Sequence, residues 1–180
     1  MKKVSDIHAI KIIFFITACY VGLWAIRIPT IKDQLQTDYV GVGYIMLSFA
    51  IGSIVAMIFA NALILKTSTK SILTCTLIAE GCLWLPVPFI QELWLFMVFS
   101  FVFGMSYGAF EIACNVYASN LEVREKKSMM SGFHAFWSLG VLFGSLITSF
   151  LLEWNYSFIF NILLYVIILL PLSLYFVVCL

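Results

Sequence analysis

Glu111 is the residue whose type and setting point most strongly to chemistry. It lies in an otherwise apolar run, Gly104 to Glu122. A carboxylate inside the hydrocarbon of a bilayer is costly unless it faces water or the interior of a bundle, so it predicts a functional site. Asn115 follows at i+4, which places the amide and the carboxylate on one helical face. We expect this face to line a polar cavity that contacts a solute or a proton.

Two other ionisable residues, His134 and Glu80, lie in apolar segments. His134 and Glu111 flank the charged turn EVREKK at similar distances, so at about 1.5 Å per residue they would lie at similar depth on adjacent helices. A carboxylate beside an imidazole could carry a proton. Alternatively, His134 hydrogen-bonds a backbone carbonyl at the end of its helix. Glu80 has no candidate partner, and it could face the cavity or pair with another helix.

Aromatic residues and one arginine are the remaining candidate contacts to a solute. Tyr20, Trp24 and Arg27 lie at i, i+4 and i+7, hence on one face of the first apolar segment. With Tyr107 and Trp137, the rings could form the walls of a sugar-sized pocket, although such stripes also serve packing or lipid contact. Arg27 could be an outer gate or a substrate contact. Alternatively, it is an anchor whose guanidinium extends to the headgroups.

The pattern GMSYG, from Gly104 to Gly108, matches the G-x-S-x-G motif of serine hydrolases. An intramembrane protease would use Ser106 as nucleophile and His134 as base. The motif needs a strand-to-helix elbow, however, and here it lies in continuous helical sequence. We therefore expect no catalytic residue and no enzyme activity. The five cysteines lack CxxC or CxxH spacing, so we expect no metal site and no cofactor.

The elements that must position these residues are apolar helices. The chain is 63% hydrophobic and 11% charged, with mean hydropathy +1.08, which is more apolar surface than a soluble domain of 180 residues can bury. The net charge of +1 argues against a nucleic-acid partner. We expect an all-α membrane protein, a single bundle of six transmembrane helices whose first span is uncleaved. The expected spans are residues 10–31, 40–65, 71–89, 93–120, 129–152 and 157–180.

The distribution of basic and small residues predicts orientation and internal symmetry. Eight of ten basic residues lie at the N-terminus and in the second and fourth connections, so both termini are expected to be cytoplasmic. Spans two and five carry stripes of small residues, which let helices pack closely. Spans one and four carry Arg27 and Glu111, and spans three and six carry prolines. This correspondence is typical of the 3+3 inverted repeat of secondary transporters.

Three segments carry a resemblance to a known family: WAIRIPTIKDQL, FEIACNVYASNLE and SGFHAFWSLGVLFGSL. They resemble the N-terminal half of major facilitator superfamily permeases, most closely the fucose-permease-like branch of the bacterial inner membrane. The resemblance implies half of a twelve-helix fold, and it places Glu111 and Asn115 in the substrate and proton site. Two departures stand out. The first span has no acidic residue before Pro29, and the signature between spans two and three survives only as NALILKTSTK, which keeps Lys66 and Lys70.

The expected function is transport of a small, sugar-like solute by alternating access, with proton coupling as a further hypothesis. The expected partners are the lipid bilayer, the small-molecule substrate, and either a second six-helix half or a second copy of the chain. The alternative from another class is a non-transporting membrane protein, a remnant or assembly partner that keeps the fold without the activity.

Overall fold

The computed structural model describes residues 5–180, which form six long α-helices and contain no strand. Each helix is long and apolar enough to cross a membrane. The all-α, six-helix prediction is therefore confirmed. Lys2 and Lys3, which contribute to the predicted orientation, lie outside the described residues. The helices are α1 (Asp6–Gln34), α2 (Tyr39–Lys66), α3 (Thr69–Trp84), α4 (Leu93–Glu125), α5 (Met130–Glu153) and α6 (Phe158–Cys179).

Side-chain caps explain where several helices begin. Asp38, Ser68 and Ser157 each accept a hydrogen bond from a backbone N–H in the first turn of α2, α3 and α6. At α5 the acceptor comes from another helix, because Oε1 of Glu122 on α4 accepts from the backbone nitrogens of Met129 and Met130. The connection between α4 and α5 is thus held by the side chain of the preceding helix.

The third segment is interrupted before its predicted end. Helix α3 stops at Trp84, and a short 3-10 turn, Val87–Phe89, follows. Pro86 precedes this turn and Pro88 lies within it, and proline lacks the N–H that continues an α-helix. The end of α1 holds the turn in place, because Nε2 of Gln34 donates to the carbonyls of Val87 and Ile90 at 2.9 and 2.6 Å.

The packing of the helices repeats with the chain. Helix α1 lies along α5, and α2 lies along α4 in the same way. Helix α3 packs on α4, and α6 packs on α1. If α1, α2 and α3 are exchanged for α4, α5 and α6, respectively, the same pairs of helices are in contact. That is the 3+3 repeat expected of half a transporter fold.

Glycines allow the two main helix pairs to approach closely. A Cβ added at Gly104 of α4 would lie 2.9 Å from the carbonyl carbon of Phe49 on α2, and one at Gly108 would lie 2.8 Å from Cα of Ser53. In the α1–α5 pair, a Cβ at Gly144 would lie 2.7 Å from Cα of Cys19. Each pair is therefore close-packed, backbone against backbone, as small-residue stripes in membrane helices favour.

The two ends of the bundle differ in composition. One end, here called the basic end, carries the connections α2–α3 and α4–α5. Interhelical contacts tie this end together: Lys70 Nζ donates to the carbonyl of Val178, and Arg124 pairs with Asp6 at 2.7 Å. The opposite end, here called the aromatic end, exposes large rings. The exposed rings at that end include Trp94, Trp154 and Tyr156.

Candidate functional site

A cavity of about 630 Å³ lies among α1, α2, α3 and α4. This volume is in the range of small-molecule binding sites. It lies between the two glycine-paired sets of helices, where the α1–α5 and α2–α4 pairs diverge and α3 forms a wall. Eight of the fifteen lining residues are aromatic. The lining consists of Tyr20, Val21, Trp24, Met46, Leu47, Phe49, Ala50, Glu80, Trp84, Val87, Phe96, Phe99, Ser100, Phe103 and Tyr107.

Trp84 lies at the centre of the aromatic wall. Its ring stacks on Tyr20 with centroids 6.0 Å apart, and it meets Trp24 and Phe103 edge-on at 6.2 and 5.6 Å. Trp24 also contacts Phe96 at 6.3 Å. These spacings are those of favourable aromatic pairs, so the rings hold one another in place before any ligand binds. The indole N–H of Trp84 is buried and has no acceptor among the described residues.

Glu80 is the charged residue of the cavity wall. It lies one turn before Trp84 on α3, and 7% of its surface is exposed. Among the described residues, no side chain forms a hydrogen bond or ion pair with its carboxylate. The carboxylate oxygens are nevertheless not fully enclosed by protein. On its other side Glu80 lies close to Ser106 and Tyr107 of α4, with no room for a water molecule between them. Glu80 therefore forms part of the wall of the cavity in the interior of the bundle.

The structure brings together three of the four rings predicted for a solute pocket. Tyr20 and Trp24 of α1 and Tyr107 of α4 all line the cavity. The hydroxyl of Tyr20 donates to the carbonyl of Tyr165 on α6 at 3.3 Å, which fixes that ring. Trp137 does not line the cavity: it packs at the edge of the core cluster that contains Phe133, and its side chain lies next to that of Tyr107.

Arg27 does not line the cavity. Its side chain is buried, and Nε donates to Oδ1 of Asn161 on α6 at 3.0 Å. The guanidinium also donates to the carbonyl of Tyr156 at 3.3 Å and lies over the ring of Phe158 at 5.3 Å. In this structure Arg27 is buried and joins α1 to α6, so it is not an anchor whose guanidinium extends to the headgroups. The face of α1 alone could not reveal this role, because the acceptors come from α6. The outer gate and the substrate contact stay predictions.

Glu111 and Asn115 are half-buried on α4, and neither lines the cavity. The sequence placed them on the face of Gly104 and Gly108, and that face packs against α2. The cavity face of α4 is the neighbouring one, which carries Tyr107. Glycine at two successive turns brings the α2 backbone against α4, but Glu111 and Asn115, further along the helix, keep part of their surface accessible. Their contact with a solute or a proton stays a prediction. Among the described residues, no side chain hydrogen-bonds to Glu111 or Asn115.

His134 is exposed on α5, and its ring meets Phe14 edge-on at 5.7 Å. Among the described residues, it forms no hydrogen bond or ion pair with Glu111. The predicted pair is therefore not formed in this structure, since α4 packs mainly on α2 whereas α5 packs on α1. Ser106 lies within the continuous helix α4, so the strained elbow of a serine hydrolase is missing from this motif.

Within residues 5–180, no group of three His, Cys, Asp or Glu side chains could hold a metal ion. The chemistry that the site offers is thus that of one carboxylate, several aromatic rings and a few hydroxyl groups. Such a set can bind a ligand by charge and by ring contact.

Comparisons with known proteins agree with the architecture. The chain is 28% identical over 145 residues to an uncharacterized MFS-type transporter of Yersinia pestis, covering 79% of this chain and 37% of that protein. It is 25% identical over 141 residues to an uncharacterized transporter of Sinorhizobium fredii, covering 73% of this chain and 35% of that protein. The chain thus spans little more than a third of these curated relatives. No solved structure matches it significantly.

A family model gives the assignment. The model for the Major Facilitator Superfamily matches residues 12–178, which reach from the first turns of α1 almost to the end of α6. Together with the six apolar helices, this match identifies a multi-pass membrane protein. The chain belongs to the Major Facilitator Superfamily.

Proposed function

We propose that this chain is a six-helix half of a transporter that moves a small organic solute across the bilayer by alternating access. The aromatic cavity among α1 to α4 is the solute site of this half. Family membership supports the proposal, as do two relatives that are named as transporters. The internal repeat of the helices supports it as well, because such repeats let one bundle rock against another around a central site.

The observation that carries the proposal is Glu80 in the cavity wall. A carboxylate within a membrane-spanning bundle is costly, and the described residues supply no partner that offsets this cost. A structural role would place a donor or a cation beside it. The cavity, in contrast, places accessible space beside it, which a solute or a proton can enter.

A second six-helix bundle is the proposed partner. The chain spans 37% and 35% of its two relatives, which leaves room in them for another bundle of this size. Helix α5 exposes Ser131, His134 and Ser138 at i, i+3 and i+7, hence on one face. An imidazole facing acyl chains is unfavourable. We infer that this face meets the companion bundle, which is either a different half or a second copy.

Glu111, Asn115 and His134 belong, in this proposal, to the junction between the two bundles. All three are at least partly accessible, and none is held by another side chain of the described residues. At the junction they could contact solute or relay a proton once the companion supplies the facing wall. Proton coupling and the fucose-permease-like branch remain predictions. The aromatic lining disfavours a sugar, since most hydroxyl groups of a sugar would find no partner there.

The proposed location is a bacterial inner membrane with the basic end in the cytoplasm. Basic residues are concentrated at that end, and exposed Trp and Tyr rings lie at the other, as the positive-inside rule and the aromatic belt require. The described basic residues at that end include Lys66, Lys70, Arg124, Lys126 and Lys127.

Uptake into proteoliposomes that contain the chain and its second half tests the proposal. Labelled organic cations, sugars and organic acids are offered in turn. Ala50 of α2 lines the cavity, and its side chain is exposed. Ala50→Trp therefore places a ring in the cavity without disturbing a contact between helices. We expect uptake to fall at least tenfold. Ala62→Trp, on an exposed position of the same helix outside the cavity, is the matched control.

The non-transporting alternative predicts a different outcome. If no solute of any class accumulates while both halves are present and correctly inserted, the chain is an assembly partner or a remnant. Equal uptake by the Ala50→Trp and Ala62→Trp proteins would instead mean that the solute does not pass through this cavity.

A further inference from the structure

We propose that the cavity is selective for a monovalent organic cation, an ammonium compound whose charge pairs with Glu80 and whose carbon groups pack on the aromatic wall. This inference rests on the proposed function, because it names the solute class of the same site. It differs from the sugar-like solute that the sequence predicts.

The charge of the cavity is the first argument. Glu80 is the one charged residue among the fifteen that line it, and the lining contains no Lys, Arg or His. When it is ionised, the carboxylate gives the cavity a negative potential that no other lining residue cancels. A ligand that brings a positive charge supplies the missing partner, whereas an anion would add repulsion at low dielectric.

The shape of the wall is the second argument. Trp84, one turn from Glu80, is surrounded by Tyr20, Trp24 and Phe103 at centroid distances of 5.6 to 6.2 Å. The faces of such rings attract cations, most strongly where water is excluded, and aromatic cages are a common means of binding quaternary ammonium groups. The carboxylate and the rings thus favour the same charge on the ligand.

The scarcity of other polar groups is the third argument. Besides Glu80, the lining residues carry polar side-chain groups only at Ser100, the two tyrosine hydroxyls and the two indole nitrogens. The hydroxyl of Tyr20 is engaged with α6, and the indole N–H of Trp84 is enclosed by protein. Few donors or acceptors therefore remain for a hydroxyl-rich ligand. A compact cation with an apolar body fits a cavity of about 630 Å³ with this lining.

Equilibrium binding tests the inference without any need for transport. The full chain is placed in lipid nanodiscs, and labelled benzyltrimethylammonium is displaced by the unlabelled compound so that only saturable binding is counted. Its neutral isostere, neopentylbenzene, has the same shape without the charge. We expect the parent protein to bind the cation at least tenfold more tightly than the isostere.

Two variants and one control complete the test. Glu80→Gln keeps the size of the side chain and removes its charge, so it should weaken cation binding at least tenfold and leave binding of the isostere unchanged. Trp24→Leu removes one half-buried ring and should weaken binding of the cation more than that of the isostere. Glu153→Gln makes the same change as the first variant at an exposed carboxylate outside the cavity and should have no effect.

The inference is overturned if the parent binds neither probe saturably, or binds both equally. It is also overturned if neither Glu80→Gln nor Trp24→Leu alters cation binding. If Glu80→Gln fails to fold, the inference is still tested by comparing the binding of the two probes to the parent protein and to the Trp24→Leu variant. Cation binding without uptake by the two halves would contradict the transport proposal alone. Uptake of a neutral or anionic solute without cation binding would contradict this inference alone.

Discussion

Nε of Arg27 on α1 donates a hydrogen bond to Oδ1 of Asn161 on α6 at 3.0 Å, and both side chains are buried. This bond joins the first and last helices of the bundle. Replacing Asn161 by Leu removes the acceptor and leaves part of a buried guanidinium without a partner. We expect the free energy of unfolding to fall by about 1.5–3 kcal/mol, the range for hydrogen bonds to charged groups.

A double-mutant cycle on Arg27 and Asn161 measures this interaction. Unfolding in mixed micelles is followed for Arg27→Leu, Asn161→Leu and the double variant. The two losses should not add, since either substitution breaks the same bond. Additive losses would mean that the two residues stabilise the bundle independently.

The close approach of α1 and α5 predicts a second effect on stability. A Cβ at Gly144 would overlap the backbone of Cys19, so Gly144→Ala must push the two helices apart. We expect a loss of stability of at least about 2 kcal/mol, because backbone cannot move aside as a flexible side chain can. Thermal unfolding of the purified protein measures it.

Gly43→Ala is the matched control for that substitution. Gly43 lies on an exposed side of α2, and nothing lies within 4 Å of an added Cβ. Alanine favours a helix over glycine by about 1 kcal/mol, so this variant should be neutral or slightly more stable. If both variants behaved alike, close packing at Gly144 would not explain the effect.

The cap on α5 predicts a local change in dynamics. Oε1 of Glu122 accepts from the backbone nitrogens of Met129 and Met130 at 2.5 and 2.6 Å. Glu122→Ala removes both bonds, and losing a helix cap costs about 1 kcal/mol. Amide hydrogen exchange in the first turn of α5 should therefore speed up several-fold while exchange in α6 is unchanged.

Glu125→Ala provides the comparison for the cap. Glu125 is exposed in the same turn and pairs with Arg124, and exposed pairs of this kind contribute little. Its removal should leave exchange in α5 as it is. If amide exchange in α5 became faster in both variants, the lost negative charge in the turn, and not the loss of the cap, would explain the effect.

The exposed face of α5 predicts where the companion bundle binds. Ser138 lies on that face, so Ser138→Trp should reduce co-purification of a separately tagged second half, or of a second copy, at least fivefold. Ile167→Trp, at a position of α6 that is 68% exposed, should not reduce it, because a ring there meets lipid. The opposite pattern would place the companion on α6.

The sequence foretold the number of helices, because apolar length alone decides whether a segment can cross a bilayer. It also foretold that spans two and five pack closely against other helices, because small residues at i+4 let backbones approach, although it did not say which helices these would be. Gly52 and Gly144 both lie where the pattern placed them, against a neighbouring helix. The repeat of α1 to α3 in α4 to α6 was readable for the same reason.

The sequence did not show which of two carboxylates, Glu80 or Glu111, lines the cavity. The rule that an acid in an apolar helix indicates a site applies equally to Glu80 and Glu111, and the surrounding polar residues favoured Glu111. Sequence spacing gives the face of each helix but not the neighbour that covers it. Helix α2 covers Gly104 and Gly108 of α4, and α3 places Glu80 in the wall of the cavity.

By itself, then, the sequence determined a six-helix membrane bundle of repeated halves, because hydrophobic length and small-residue spacing are properties of single helices. Only the tertiary structure decided that Arg27 joins α6, that Trp84 lies at the centre of the aromatic wall, and that Glu80 faces the cavity. Those relations depend on which helices pack together and at what rotation. The free energies that decide rotation come from contacts between residues far apart in the chain.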